Sequence, residues 1–454
     1  MNNLISPAPK RELKKILGSA FGIAVMVGGI IGVGILRNPG SVATMLPDKW
    51  LILTAWILSG LYVFLGVNSL AELATMLPKA GGPFNYVKRA FGDYAGFLTG
   101  WFDYISFCIP PAYISIAISE YLAILLPALK GYETVIGFIL LTAFSSLNLA
   151  GLRGGSLAQQ ITSFIKVLIF LVLIICCFLF GGDSVQAAEL NSNLKQTAMF
   201  GGLLLAFIGA IQLVLGTYDG WTGPAYFAEE NTNPGKSIPR SLFSGALIVM
   251  LIYVLINVAL FYLLPVSAIA GSKLAVADVA QVIFGPVGYT ILMLIAVFSL
   301  LGILNAIIMI CPRILFGLSR EGFFIKKAML VNKGGTPFVA LIITFIIQTV
   351  LVIAGSFEQL FTLATFMNML VLIFVFGSVI KLRKSAPALP RPYKSWGYPW
   401  TTLLMVLISI GLFVSYTFAD TSNFVVIMIL IALSWPAFVS MKRNKSTDTE
   451  PHKG

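Results

Sequence analysis

Apolar runs of about twenty residues follow one another along the whole chain, separated by short polar joins. Roughly twelve can be drawn, at about 18–46, 51–77, 96–127, 133–151, 156–181, 200–228, 241–265, 286–318, 337–355, 358–380, 398–418 and 423–441, each the length a helix needs to cross a bilayer. The pattern predicts an all-α integral membrane protein of about 12 transmembrane helices. Two of the runs are broken by glycine at mid-depth. The first reads GIAVMVGGIIGVGILRNPG and contains Gly28, Gly29, Gly32 and Gly34. The second reads LLLAFIGAIQLVLGTYDGWTGPAYFAEE and contains Gly216, Gly220, Gly223 and Pro224. In lipid an unwound backbone is tolerable only where it lines a cavity, because nothing else satisfies its N–H and C=O groups. A pair of interrupted spans at corresponding places in two halves points to the substrate site of a secondary transporter.

Spans 1–5, residues 18–182, and spans 6–10, residues 200–382, read as two five-helix repeats. Five is odd, so the second repeat enters the membrane from the opposite side. The two halves match in hydropathy and in the place of the broken helix, not in residue identity. Two further helices occupy 398–441, after KLRKSAPALPRPYKSWGYP, a linker rich in Pro and Lys. Residues 1–17 form the N-terminus and 442–454 a polar tail, expected to be disordered from about Met441.

Composition narrows the class. The chain is 58% hydrophobic and 11% charged, which excludes a soluble protein of 454 residues. The net charge of +12 raises nucleic acid or anionic lipid as partners, but its distribution argues for topology instead. With the N-terminus inside, the inner loops hold Lys79, Lys88, Arg89, Arg153, Lys236, Arg240, Arg320, Lys326, Lys327, Lys333, Lys381, Arg383, Lys384, Arg391, Lys394, Lys442, Arg443 and Lys445. The outer loops hold only Lys49, Lys130, Lys195 and Lys273. That bias sets both termini in the cytoplasm. No basic patch interleaved with aromatics stands outside the membrane, so no nucleic-acid role is expected. The basic start at Lys10, Arg11, Lys14 and Lys15 lacks a cleavage pattern, so no cleaved signal is expected. Cys108, Cys176, Cys177 and Cys311 all fall in spans and read as small buried hydrophobes. The lone His452 lies in the tail, which excludes a histidine-based metal or catalytic site. No metal or organic cofactor is expected.

A zwitterionic solute must shed water to enter a membrane. A broken helix offers it N–H donors and positive dipole at a half-helix start, and bare carbonyls in the unwound stretch. Gly32-Val33-Gly34 opens the outer half of span 1 and is the candidate carboxylate cradle. The bland alternative is a small-residue face for helix packing.

The motifs carry a resemblance from end to end. GIIGVGIL, ELATMLPKAGGPFNYVKRAFG, TYDGWTGPAYFAEENTNPGKSIPRS, LNAIIMICPRILFGLSREG and LPRPYKSWGYP, in that order, resemble an amino acid permease of the amino acid–polyamine–organocation (APC) superfamily. The resemblance implies a LeuT-like 5+5 inverted repeat plus two extra helices, and alternating access. Carried over by position, it implies substrate contacts at Ile30, Gly32, Val33 and Gly34 in helix 1, and at Gly216, Thr217 and Asp219 in helix 6. Val33 stands where relatives often carry a small hydroxyl residue, so only its backbone N–H can help. Gly216 stands where many relatives carry a bulky aromatic lid, which leaves room for a larger substrate side chain.

Ionisable residues at membrane depth complete the candidate set. Lys166 lies about ten residues, or about 15 Å, inside span 5. An ammonium there costs on the order of 3 kcal/mol by insertion scales. It either snorkels to the inner surface or, as the resemblance implies, takes the place of a bound Na⁺ between helices 1, 5 and 8, with Ser299 as hydrogen-bond partner. Asp219 reads either as a half-helix cap or as a counter-charge for a cationic substrate. Arg37 and Glu120 read as a structural ion pair, with attraction of acidic substrates by Arg37 as the alternative. Pro110-Pro111 predicts a kink in span 3. Tyr218 and Trp221 are open between packing and gating.

The reading is a secondary active amino acid transporter, Na⁺-independent, working by proton symport or by exchange, in a bacterial inner membrane. The alternative is an amino acid sensor on a transporter scaffold. An enzyme is disfavoured by the absence of paired carboxylates, a Ser/His constellation and metal-ligand spacing. A channel is disfavoured because the breaks come as a single pair without a charge ring. Eukaryotic light chains of the superfamily pair with a heavy chain through a cysteine after span 3. The loop around Pro127 to Glu133 has none, so no disulfide-linked heavy chain is expected.

Overall fold

The computed structural model describes residues 12–180, 200–354 and 357–447. The apolar runs become helices. Run one divides into α1 (Ser19–Ile30) and α2 (Val33–Met45), bent by 43° across the glycines. Next comes α3 (Lys49–Met76), started by Asp48, whose carboxylate accepts from the N–H groups of Trp50 and Leu51. A short α4 (Pro83–Phe91) precedes run three, which is α5 (Asp93–Cys108) and α6 (Pro110–Leu125). The helix restarts at Pro110, as a ring without an N–H requires. Then follow α7 (Glu133–Ala150), α8 (Leu152–Phe180), α9 (Phe200–Thr217), α10 (Pro234–Leu263) and α11 (Val266–Ile269). The chain continues as α12 (Ala275–Arg320), α13 (Phe338–Ala354), α14 (Phe357–Ser385), α15 (Trp400–Ala419) and α16 (Thr421–Thr447).

Nine of the described helical spans are long and apolar enough to cross a membrane, and the bent pair α1–α2 makes a tenth. Shorter apolar helices, Gly202–Thr217 and Phe338–Ile353, fall where runs six and nine were drawn. Large apolar side chains stand on the outside, with Phe418 84% and Trp400 75% exposed, which suits lipid and not water. The protein is thus an all-α, multi-pass membrane protein.

Three boundaries differ from the sequence reading. Run eight begins eleven residues earlier, because α12 starts at Ala275 and passes a non-helical Gly285 at φ +66°. The hydropathy window missed this turn since Pro286 reads as a breaker. α16 continues to Thr447, so residues 442–447 are helical; the rest of the expected tail, 448–454, lies outside the described residues. The linker is also less free than its composition suggests. α14 takes its first residues, and Arg391 then donates to the buried Glu72 carboxylate at 3.2 Å, beside Arg383 at 2.6 and 2.9 Å.

The centre of the molecule is α1. Val25, Met26 and Val27 are at most 2% exposed, and α1 packs against α8, α10 and α12. A helix that is apolar all round belongs inside a bundle. Gly245 of α10 allows this approach: a Cβ there would lie 2.6 Å from the Met26 sulfur.

Candidate substrate site

Break one lies at Ile31-Gly32, between α1 and α2. The last carbonyls of a helix have no partner within it. Here side chains from three other helices serve them. Lys166 of α8 donates from Nζ to the Gly28 carbonyl at 2.9 Å and to the Ile31 carbonyl at 2.7 Å. Ser299 of α12 donates to the same Ile31 carbonyl at 3.1 Å, and Tyr253 of α10 donates to Ile30 at 2.9 Å. Lys166 is 1% exposed, which removes the snorkelling alternative. Ser299 is buried beside it and shares its acceptor.

Break two follows α9. The chain turns through Tyr218–Thr222, with Gly220 at φ +101°, and resumes as a 3₁₀ segment, Gly223–Glu230. Gly220 is required twice over: its φ is left-handed, and a Cβ would lie 3.0 Å from the Gly29 carbonyl oxygen. The Asp219 carboxylate accepts through Oδ1 from the Gly220 N–H at 2.8 Å and from Asn368 Nδ2 of α14 at 2.6 Å. This bond lies within the turn; the segment that starts at Gly223 has Thr222 before it and no side-chain cap, so the expected half-helix cap is replaced by a bond to the turn backbone, which does not exclude the charge role. Tyr253 also reaches the Thr217 carbonyl at 3.2 Å, so one hydroxyl stands between the two breaks.

Between the breaks is a cavity of about 350 Å³. Of the predicted contacts, Ile30, Gly34, Gly216, Thr217 and Asp219 line it. Gly32 faces α12 instead, where a Cβ would lie 1.9 Å from Ile303 Cδ1. Val33 opens α2. Both readings of the glycine motif thus apply, to different residues. Gly28 and Gly32 permit close packing, while Gly29 and Gly34 border the cavity. The residue before α2 is glycine, so no side chain of its own covers the first N–H groups of that helix. Lys166 and Ser299 sit behind break one rather than in the cavity wall.

Four wall residues or supports escaped the sequence reading. Asn368 carried a signal, a lone amide in the apolar run FTLATFMNMLVLIF. Asn38 joins α2 to α9 by donating to Thr217 Oγ1 at 2.5 Å. Tyr253 and Phe361 look like ordinary lipid-span aromatics in sequence. Tyr218 and Trp221, by contrast, are buried in ring contacts: Tyr218 lies 4.8 Å from the Tyr253 ring and Trp221 stacks 6.4 Å from Phe376. Arg37 does pair with Glu120, at 2.8 Å, and also donates to Tyr121 at 3.0 Å. It borders the cavity as well.

The amino acid permease family model matches residues 19–435, from the start of α1 into α16. This chain belongs to that family. The permease is 29% identical over 446 residues to the serine/threonine exchanger SteT of Bacillus subtilis (strain 168), covering 96% of this chain and 98% of that one. It is 29% identical over 402 residues to the b(0,+)-type amino acid transporter 1 of Homo sapiens, covering 86% and 80%. It is also 29% identical over 397 residues to the human large neutral amino acids transporter small subunit 2, covering 84% and 72%. Family and relatives are amino acid transporters, not enzymes.

On the face that carries Leu17, ion pairs join α12 to α4 and to the 3₁₀ segment of break two. Arg313 of α12 holds Glu230 bidentately, at 2.5 and 2.9 Å, with exposures of 3% and 0%. Arg320 holds Glu229 at 2.8 Å, and Lys88 of α4 pairs with Glu321. Burial pushes the Glu321 carboxyl up, but the Lys88 ammonium, with Lys79 and Arg320, pulls it down further, so it lies below the usual glutamate value. The Leu17 N–H donates to the Glu230 carbonyl at 3.0 Å, tying the chain before α1 to the end of the broken span 6.

Proposed function

We propose that the cavity is the substrate site of a Na⁺-independent amino acid exchanger that works by alternating access. The carrying observation is the cavity itself, set between two helix breaks, with the start of α2, which has no cap side chain, bordering it at Gly34 and a carboxylate, Asp219, in its wall. Its volume sits at the small end of the range of about 300–1,000 Å³ typical for small-molecule sites. The first N–H groups of α2 receive the substrate carboxylate, and their positive dipole end favours it. The Lys166 ammonium holds break one as a fixed cation, which is the role a bound Na⁺ would otherwise fill. The relative named as an exchanger supports exchange. We assign the Leu17 face to the cytoplasm on the Lys and Arg bias of the loops, and a bacterial inner membrane as the location.

Proton symport is the second reading, favoured by Asp103 of α5. That residue is wholly buried, accepts from the Tyr226 hydroxyl at 2.8 Å through Oδ1, and has no partner on Oδ2 among the described residues.

The test is a labelled amino acid screen in proteoliposomes. Uptake is expected only into vesicles preloaded with unlabelled amino acid, and unchanged when choline chloride replaces NaCl. Uptake that requires Na⁺ overturns the ion-free reading. Uptake driven by a pH gradient into empty vesicles selects symport. No flux of any amino acid overturns transport by this cavity.

A further inference from the structure

The cavity has a wall residue that the two breaks do not supply. α14 contributes Asn368 at the depth of Asp219, and seven residues earlier it contributes Phe361. Seven residues of helix span about 10 Å. The direction is fixed by the other end of α14, where Arg383 meets Glu72 on the Leu17 side of the molecule. Phe361 therefore stands toward the opposite mouth; Arg37, Asn38 and Ser41 of α2 line the same cavity.

Its position there depends on an absence in α9. A Cβ on Gly216 would lie 3.1 Å from Phe361 Cζ and 3.4 Å from Cε1, tighter than ordinary packing. The ring is thus seated in the notch that glycine leaves. On its other side Tyr113 of α6 meets it edge to face, with centroids 5.6 Å apart and planes at 75°. The space expected at Gly216 for a longer substrate side chain is consequently filled from α14. An aromatic held between two helices on either side of a mouth occupies the cross-section that a solute must pass.

We propose that Phe361 is the lid of this cavity: seated against Gly216 and Tyr113, its ring closes the mouth away from Leu17 and limits the size of side chain admitted. The size-limiting half rests on the transport reading given above; the closing half does not. Gly216 and Phe361 are then one unit, and an aromatic is needed on one of the two helices but not on both.

The experiment separates the two halves. Ala306, on the α12 wall of the cavity, is changed to Cys in the full chain as a reporter. Its modification by a charged methanethiosulfonate reagent is read at position 306 by peptide mass spectrometry, so the four native cysteines do not interfere. Phe361→Ala should raise the labelling rate about fivefold, as loss of a closing element does. Adding Gly216→Phe to Phe361→Ala should return the rate to near the parent value. Phe361→Leu keeps an apolar plug and should give a rise of about twofold, which covers failure of the alanine variant to fold. In proteoliposomes the ratio of L-phenylalanine to L-serine flux should rise with Phe361→Ala and fall back in the double variant. A labelling rate that stays at the parent value in Phe361→Ala and Phe361→Leu overturns the lid. A double variant no nearer the parent than Phe361→Ala overturns the exchange of roles with Gly216. Labelling that responds as expected in a protein carrying no amino acid upholds the closing role and overturns the transport reading alone.

Discussion

The two breaks face the same physical problem and meet it with opposite charges. Break one ends α1 and leaves carbonyls at Gly28, Ile30 and Ile31. A helix C-terminus is the negative pole of its dipole, and the group that serves it is the Lys166 ammonium. Break two leaves an N–H at Gly220, and the group that serves it is the Asp219 carboxylate. The partners also differ in origin. Lys166, Ser299 and Tyr253 all come from other helices, whereas Asp219 comes from the break itself and is steadied by Asn368 of α14. Break one is therefore held wholly from outside, by α8, α10 and α12, whereas break two adds a carboxylate of its own to the outside partners Tyr253 and Asn368. Motion of α8 relative to α1 must pull on Lys166, and on Ser163, which donates to the Ala24 carbonyl; motion of α12 must pull on Ser299.

The largest expected effect follows from removing the cation. Lys166→Ala takes a charged donor from two buried carbonyls at once. Each loses on the order of 1–3 kcal/mol, and part is regained because no ammonium is buried any longer. A net destabilisation of about 2–4 kcal/mol is expected, with amino acid flux abolished. Thermal unfolding of the purified protein in detergent and proteoliposome uptake check it. If stability and flux both stay at the wild-type level, break one does not depend on α8, and the contrast drawn here falls.

Much of this contrast is visible in the chain before any coordinate. Glycine inside two apolar runs gives both breaks, and a lone lysine or aspartate in such a run marks itself by its cost in lipid. Ile30, Gly34, Gly216, Thr217 and Asp219, which line the cavity, are placed there by the resemblance to the permease family, since the breaks mark the region but not the individual contacts. What could not be read are groups whose type is common in spans. Tyr253 sits among LIYVLINVALFYLL with nothing to set it apart from Tyr262, yet only Tyr253 reaches both breaks. Phe361 acquires its meaning only from the notch opposite it. The helix boundaries missed at Gly285 and Met441 share a cause of another kind. Proline and charge read as terminators in a hydropathy window, although a helix can bend at the first and run past the second into water.

Tyr253 is the next test, since it belongs to both sides of the comparison. One hydroxyl has one proton, so it donates to Ile30 or to Thr217 at any moment, and the two lengths of 2.9 and 3.2 Å describe a shared bond. Tyr253→Phe keeps the ring against Trp56 and Tyr218 but leaves one buried carbonyl short. A loss of about 1–3 kcal/mol is expected, smaller than for Lys166→Ala because a single neutral donor goes. Combined with Lys166→Ala, the losses should be less than additive, since both side chains hold the end of α1. Strict additivity in a double-mutant cycle would mean that the carbonyls of break one are independent, and that Tyr253 serves break two alone.

Asp219→Asn gives the smallest effect on stability and the sharpest on selectivity. Asparagine can still accept from the Gly220 N–H and still meet Asn368 if one amide turns, so the bond within the turn survives in kind. The expected loss is about 0.5–1 kcal/mol, the range for weakening one hydrogen bond. The charge is a different matter. Both bonds to protein fall on Oδ1, and the residue lies in the cavity wall, so the carboxylate presents negative charge to whatever enters. A cationic side chain there gains a charge-assisted bond, about twice as strong as a neutral one, in surroundings that screen it poorly. Arginine and lysine flux should therefore fall several-fold in Asp219→Asn while serine and leucine flux stays within about twofold, measured side by side in one proteoliposome preparation. Equal loss for every substrate would mean that Asp219 acts only on the backbone of break two. A wild-type protein that carries no cationic amino acid would mean the same, and the two charges would then serve the helix ends alone.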